Sequence, residues 1–175
     1  MILVSHANGN TFVRALLARA LAKQQLGLFA TGFGFARDPW YLPALPASMR
    51  QEFGRRRYDL PEGLMYTRPG RELGRLAAQR CGWTSLARHE SGWASVDAVY
   101  QDLDRAVARR LPGWKKSRGL TAAYAYEDGA LETLRAARGE GLAAVYDLPI
   151  AYWETLRALL REEAERLPQW EPTLQ

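Results

Sequence analysis

Polar residues that could do chemistry occupy three short turns, and each turn follows a run of apolar residues. The turns are Ser5-His6-Ala7-Asn8-Gly9-Asn10, Glu127-Asp128-Gly129 and Asp147-Leu148-Pro149. A histidine and carboxylates that meet in one crevice could supply a general base, whose pKa must lie near the operating pH. Because Glu127 and Asp128 are adjacent, their repulsion favours a raised pKa for one of them.

Each of these acids also has a structural interpretation. Asp128 could cap the helix that follows it, with Glu127 favoured by the positive end of the same helix. Asp147 could likewise be a turn or capping residue. The chain contains neither a Gly-x-Ser-x-Gly nucleophile motif nor a P-loop motif. From the residues alone, the acids stay open between proton transfer and helix capping.

The first turn has a characteristic setting. Ile2, Leu3 and Val4 form a continuous apolar run, which is typical of a strand buried on both faces of a parallel sheet. An amphipathic helix begins near Thr11, so the polar turn joins the carboxyl end of a strand to a helix N-terminus. Such an N-terminus offers free N–H groups to an anionic ligand.

Apolar periodicity predicts the elements that position these turns. Strands are predicted at residues 2–4, 26–31, 64–67, 120–126 and 142–146, and helices at 11–24, 47–56, 71–81, 95–111, 130–138 and 151–167. This alternation predicts an α/β fold, a Rossmann-like doubly wound and mostly parallel sheet with helices on both faces. We expect one such domain over residues 1–167 and the start of an interdomain linker over 168–175.

The same patterns predict caps, helix ends and inward faces. Thr11 is the expected N-cap of the first helix, with Asn10 as the alternative. The fourth helix is expected to end at Pro112, leaving residues 114–118 as a basic loop. The residues expected to face the core are Val13, Leu16, Leu17, Ala20 and Leu21 in the first helix, Leu73, Leu76 and Ala77 in the third, Val96, Val99, Leu103, Val107 and Leu111 in the fourth, Leu131 and Leu134 in the fifth, and Trp153, Leu156 and Leu160 in the last.

Residues 32–61 interrupt the alternation of strands and helices. They combine aromatic residues and prolines with the basic run Arg55-Arg56-Arg57. We favour a small satellite core beneath a long loop. The alternative is a lip at a membrane interface, formed by Trp40, Tyr41 and Phe53 together with the three arginines.

Composition narrows the class of protein. The 175 residues are 47% hydrophobic and 25% charged, as in ordinary globular proteins. A single cysteine and two distant histidines argue against a disulfide framework and against a structural metal site. We find no signal-peptide pattern and no stretch near the roughly 20 apolar residues of a transmembrane helix, so we expect a cytoplasmic protein. Its net charge of +5 either suits anionic partners or reflects arginines on solvated helix faces.

Four blocks of sequence resemble a bacterial branch of the family-4 glycosyltransferases. They are Val4–Arg14, Ala125–Arg135, Tyr146–Trp153 and Arg161–Trp170, so the resemblance spans essentially the whole chain. It implies the N-terminal, acceptor-side domain of a two-domain GT-B fold, whose missing C-terminal domain holds most of the donor site. The implied activity is transfer of a sugar from a nucleotide diphosphate sugar to a glycan or lipid-linked acceptor. It needs no cofactor and no catalytic metal.

The resemblance also suggests roles for individual residues. Gly9 and Asn10 would lie in the loop that faces the donor diphosphate across the interdomain cleft. Relatives often place a histidine or aspartate where this chain has Tyr126-Glu127-Asp128, so Glu127 or Asp128 is the candidate base and His6 the alternative. The substrate-binding candidates are Ser5, Asn8, Gly9, Asn10 and Asp147.

The resemblance leaves two functional hypotheses. The first is a glycosyltransferase domain that is inactive without its donor domain, with peripheral contact at the inner face of the membrane and no nucleic-acid partner. The second is a self-sufficient Rossmann-like module that binds a nucleotide or a partner protein.

Overall fold

The structure, a computed structural model, describes residues 1–169. Its strands are β1 (Ile2–Ser5), β2 (Leu26–Thr31), β3 (Met65–Thr67), β4 (Ala122–Tyr126) and β5 (Ala143–Asp147). Its helices are α1 (Thr11–Ala22), α2 (Ala47–Gly54), α3 (Pro69–Cys81), α4 (Val96–Arg118), α5 (Leu131–Gly139) and α6 (Trp153–Arg166). The predicted start of a linker remains a prediction, since residues 170–175 lie outside the described part of the chain.

The five strands form one parallel sheet in the order β3-β2-β1-β4-β5. Successive residues of a strand point to opposite faces, and β1 shows both. Leu3 packs in a cluster that includes Val107 of α4, whereas Val4 packs in a cluster that includes Val13 and Leu17 of α1. Helices therefore cover both faces, which confirms the predicted Rossmann-like doubly wound α/β fold.

Helix α4 continues through Pro112, so the predicted helix end and the basic loop over residues 114–118 are wrong. Leu111 is fully buried, and Trp114 packs against a tyrosine of β3 with 5.0 Å between ring centroids. These tertiary contacts offset the local cost of a proline within a helix. The helix ends where Gly119 adopts the left-handed conformation, with φ 60°.

The predicted inward face of α3 is also wrong. Leu73 and Ala77 are exposed and Leu76 is only half-buried, whereas Glu72 and Ala78 are buried. Apolar periodicity locates an apolar face, but it does not show that Glu72, which pairs with Arg56 and Arg75, lies on the buried side of α3.

Further predicted core residues lie at the surface. They are Val96, Leu131, Trp153 and Leu156. Helix α6 buries none of its residues, and strand β5, at the edge of the sheet, is exposed along most of its length. Periodicity predicts an apolar face, but it does not predict whether a neighbour covers that face.

Aromatic residues of the insertion at 32–61 form a satellite core, as expected. Phe33, Phe35 and Phe53 pack edge to face, with ring centroids 4.9 to 5.9 Å apart. Trp40 stands outside this cluster and is 91% exposed.

The basic run 55–57 is not a uniformly exposed surface. Arg56 is 8% exposed and its Nη2 lies 2.7 Å from Oε1 of Glu72, which is 0% exposed. Burial alone would raise the pKa of Glu72, but the guanidinium groups of Arg75 and Arg56 hold it below its ordinary value. Arg57 pairs with Asp38 at 3.0 Å. The alternative of a basic lip at a membrane interface therefore lacks the exposed charge of Arg56, the central arginine of the run.

None of the described helices is both long and apolar enough to cross a membrane.

Candidate functional site

Two of the three predicted polar turns meet at the point where the strand order reverses. The chain runs outward from β1 to β2 and β3, and then returns to place β4 on the other side of β1. Residues 5–10 follow β1, and the 3₁₀ turn Glu127–Gly129 follows β4. Their shared edge is the topological switch point, where open α/β sheets bind ligands. We call this region the crevice.

His6 is a buried, neutral residue that shapes the first turn. It is 4% exposed, and its Nδ1 accepts hydrogen bonds from the backbone N–H groups of Asn8 at 3.1 Å and Gly9 at 2.8 Å. Burial lowers the pKa of His6 to about 4, against a weaker opposing effect of Asp147. Because Nδ1 is an acceptor, the proton of the neutral ring must be on Nε2, which is buried and has no partner among residues 1–169.

Gly9 is required by the geometry of this turn. Its φ of +55° is in the left-handed region, and a Cβ at this position would lie 2.6 Å from Cε1 of Tyr58. The Tyr58 hydroxyl donates to the carbonyl oxygen of Asn8 at 3.1 Å, so the ring braces the turn from behind. Tyr58 comes from the insertion, and the sequence carries no signal that links it to the first turn.

Only some of the backbone N–H groups that we expect to bind an anion are free. The N–H groups of Asn8 and Gly9 are bound by His6, and the side chain of Asn10 accepts from the N–H of Val13 at 2.9 Å. Asn10 is therefore the N-cap of α1, and the preferred prediction of Thr11 is wrong. The remaining N–H groups of the first helical turn have no partner within the helix, and these are the groups that face an incoming anion.

Glu127 and Asp128 differ in their surroundings. Glu127 is half-buried, whereas Asp128 is exposed. Neither carboxylate has a hydrogen-bond or ion-pair partner among the described residues. Burial, reinforced by the charges of Asp128 and Asp147, raises the pKa of Glu127. The environments of the two neighbours thus separate their roles, and Glu127 is the acid whose pKa moves toward neutrality.

Asp128 is not the cap of α5. That function belongs to Asp104 of α4, which is 4% exposed. Its carboxylate accepts the N–H of Glu132 and the N–H of Thr133, each at 2.8 Å. Sequence reasoning missed Asp104, although an aspartate next to Leu103 within an apolar helix stripe is a signal that it needs a buried partner.

Asp147 lies at the flank of the crevice and is engaged by a tyrosine. The hydroxyl of Tyr124 donates a hydrogen bond to Oδ2 of Asp147. Burial, followed by this hydrogen bond and the charge of Asp147, raises the pKa of Tyr124. Tyr126 lies two residues further along β4, on the same face, and its ring packs against His6 at a tilt of 50°, with 4.2 Å between ring centroids.

The other substrate-binding candidates lie at different depths. Ser5 is 1% exposed, and its Oγ has no partner within the described part of the chain, so it lies beneath the crevice rather than in it. Asn8 is exposed and its Nδ2 donates to the Tyr100 hydroxyl at 3.4 Å. Asn10 donates from Nδ2 to the Tyr126 hydroxyl at 3.5 Å. The period-2 spacing of the tyrosines on β4 could have indicated this lining from sequence.

No family model, curated protein or solved structure matches the chain. Within residues 1–169, no three His, Cys, Asp or Glu side chains are grouped so that they could hold a metal ion. The crevice contains a neutral histidine, the unoccupied N–H groups at the start of α1, and the carboxylates of Glu127 and Asp128, with Asp147 at its flank. The N–H groups can bind an anion, and a carboxylate can take up a proton.

Proposed function

We propose that this chain is the acceptor-binding domain of an enzyme that transfers a sugar from a nucleotide diphosphate sugar. The observation that carries the proposal is the position of Glu127, a half-buried carboxylate with no described partner at the topological switch point. Ligands of doubly wound sheets bind at this point, so a hydroxyl group of the acceptor would meet Glu127 there.

In the proposed reaction, the acceptor hydroxyl oxygen bonds to the anomeric carbon of the donor sugar. The bond from that carbon to the diphosphate oxygen breaks, and the nucleotide diphosphate leaves with the electron pair. The hydroxyl proton passes to Glu127, whose raised pKa brings it closer to the range in which general bases work best. His6 does not accept this proton, because Nδ1 is occupied and Nε2 already carries one.

The helix N-terminus supports the donor side of the same proposal. The first-turn N–H groups of Thr11 and Phe12 have no acceptor within the helix, and a helix N-terminus favours negative charge. They would contact the donor diphosphate, while a further domain would supply most of the donor site. The proposed compartment is the cytoplasm, with the exposed Trp40 as the contact for the inner face of the membrane.

The experiment that tests this proposal compares two glutamates in the protein that contains this domain. Release of the nucleotide diphosphate is measured with an acceptor present. Glu127→Gln is expected to lower kcat by at least about 100-fold, the range of general base catalysis. Glu132→Gln, on the exposed side of α5, is the matched control and is expected to keep full activity. Equal activity of the two variants would refute the role of Glu127.

The second hypothesis, a self-sufficient binding module, is favoured by one feature. A free helix N-terminus at a switch point is the usual place for a nucleotide phosphate. Calorimetric titration of this chain with UDP and GDP separates the hypotheses. Micromolar binding by the chain alone would favour the module, and sugar transfer by the chain alone would contradict the need for a second domain.

A further inference from the structure

An open apolar groove separates α2 from α3. The side chains expected in the core, Leu73, Leu76 and Ala77, line one wall of it, and Met49 and Phe53 of α2 line the other. Its volume is about 360 Å³, which is within the size range of small-molecule sites. The apolar stripe of α3 therefore faces a space that residues 1–169 do not fill.

The charges of the groove are unbalanced. It is bordered by Glu52 and Arg80, but Glu52 already pairs with Arg56 at 3.2 Å. Arg80 has no acidic partner within 4.0 Å among the described residues. The groove thus combines an apolar lining with one uncompensated positive charge, in the last turn of α3.

This charge pattern complements one kind of ligand. A hydrocarbon chain fits the apolar walls, and an anionic head group at its end pairs with Arg80. The negative end of the α3 dipole opposes an anion at this place, so the guanidinium group of Arg80 must supply the attraction. A cationic or neutral amphiphile would lack this interaction.

We propose that the groove between α2 and α3 binds single molecules of an anionic amphiphile, with the chain between Leu76 and Phe53 and the head group on Arg80. This site goes beyond the proposed sugar transfer and does not depend on it. An amphiphile binds here whether or not Glu127 acts as a base, so failure of either proposal leaves the other standing.

Cys81 provides a direct test, because it lines the groove, is exposed and is the only cysteine in the chain. Its rate of alkylation by N-ethylmaleimide, a neutral reagent, is measured with monomeric n-alkyl phosphates from hexyl to decyl. We expect saturable protection of at least tenfold. The half-protecting concentration should fall about fourfold for each added methylene, since each buried CH₂ contributes about 0.8 kcal/mol.

Substitutions then locate the ligand. Arg80→Glu should raise the half-protecting concentration about fivefold or more, the upper range for an exposed ion pair. Arg109→Glu, on the exposed face of α4, is the matched control and should leave it unchanged. Leu76→Asp should abolish protection, and Ala77→Trp, which fills the groove without adding charge, should do the same if Leu76→Asp does not fold.

Three results would overturn the proposal. The first is an absence of protection by decyl phosphate at concentrations below its micelle formation. The second is equal protection by decyltrimethylammonium, because this would indicate adsorption without a role for Arg80. The third is protection of Cys81 by phosphatidylglycerol vesicles but not by monomeric alkyl phosphate, which would indicate a membrane surface instead of a site for single molecules.

Discussion

The buried imidazole of His6 should make the protein lose stability in mild acid. Burial lowers the pKa of His6 to about 4, whereas an unfolded histidine titrates near 6.5. Between these pH values the unfolded chain takes up a proton that the native state does not. The contribution of neutral His6 to the free energy of unfolding, which is complete above pH 6.5, is therefore lost as the pH falls toward 4. At about 1.4 kcal/mol per pH unit, the full loss is about 3 kcal/mol, and about 2 kcal/mol of it has occurred by pH 5.

The substitution that isolates this effect is His6→Asn. The asparagine Oδ1 is as many bonds from the backbone as Nδ1 is, so it can accept the same two N–H groups, but it does not titrate. Urea unfolding at pH 7.5 and pH 5.0 gives the free energy of unfolding of each protein. Between these pH values the wild type should lose about 2 kcal/mol more than His6→Asn. His89→Asn, at an exposed position, should behave as the wild type.

Two results would refute this reasoning. One is the same pH dependence of the unfolding free energy in the wild type and in His6→Asn. The other comes from the ¹⁵N chemical shifts of the His6 ring, which at pH 7 should show a bare Nδ1 and a protonated Nε2. The opposite tautomer would show that the backbone N–H groups do not bind Nδ1.

Three further predictions concern single positions and are checked by thermal or urea unfolding. Gly9→Ala should destabilise by about 2 kcal/mol or more, since the methyl meets a buried tyrosine ring at positive φ, whereas Gly139→Ala, in open space, should not destabilise. Asp104→Ala should lower the free energy of unfolding by about 2 to 4 kcal/mol, and Asp128→Ala should lower it by less than about 0.5 kcal/mol, because only Asp104 caps α5. Equal losses in the two variants would contradict that assignment. Glu72→Gln should lower the free energy of unfolding by about 3 kcal/mol, because it leaves the guanidinium groups of Arg56 and Arg75 without their buried carboxylate. An unchanged free energy of unfolding would show that these ion pairs are dispensable.

Much of the fold could be predicted because its signals are local. The continuous apolar run of β1, the stripe of α1 and the alternation of strands with helices each lie within a few neighbouring residues. Parallel pairing and right-handed crossovers then leave few ways to arrange such elements. The position of the candidate site was predictable for the same reason, since the polar turns after β1 and β4 reach the same edge of the sheet.

The incorrect predictions share a cause. Each depends on a contact with a residue that is distant in the sequence. Helix α4 continues past Pro112 because residues beyond it pack against another strand. Leu73 faces the open groove because Glu72, its neighbour, is turned toward Arg56. Asp128 is left free because Asp104, on the preceding helix, caps α5 in its place.

Local sequence patterns define the elements, their order and the polar turns at the strand ends, because periodicity and turn signals depend on residues close together in the chain. The role of each polar group depends on the fold. In the folded protein, Nδ1 of His6 accepts two backbone N–H groups and the ring of Tyr58 packs against Gly9. Glu127 has no partner among the described residues. Protonation and availability depend on burial and on neighbours brought together by folding, and neither can be read from spacing along the chain.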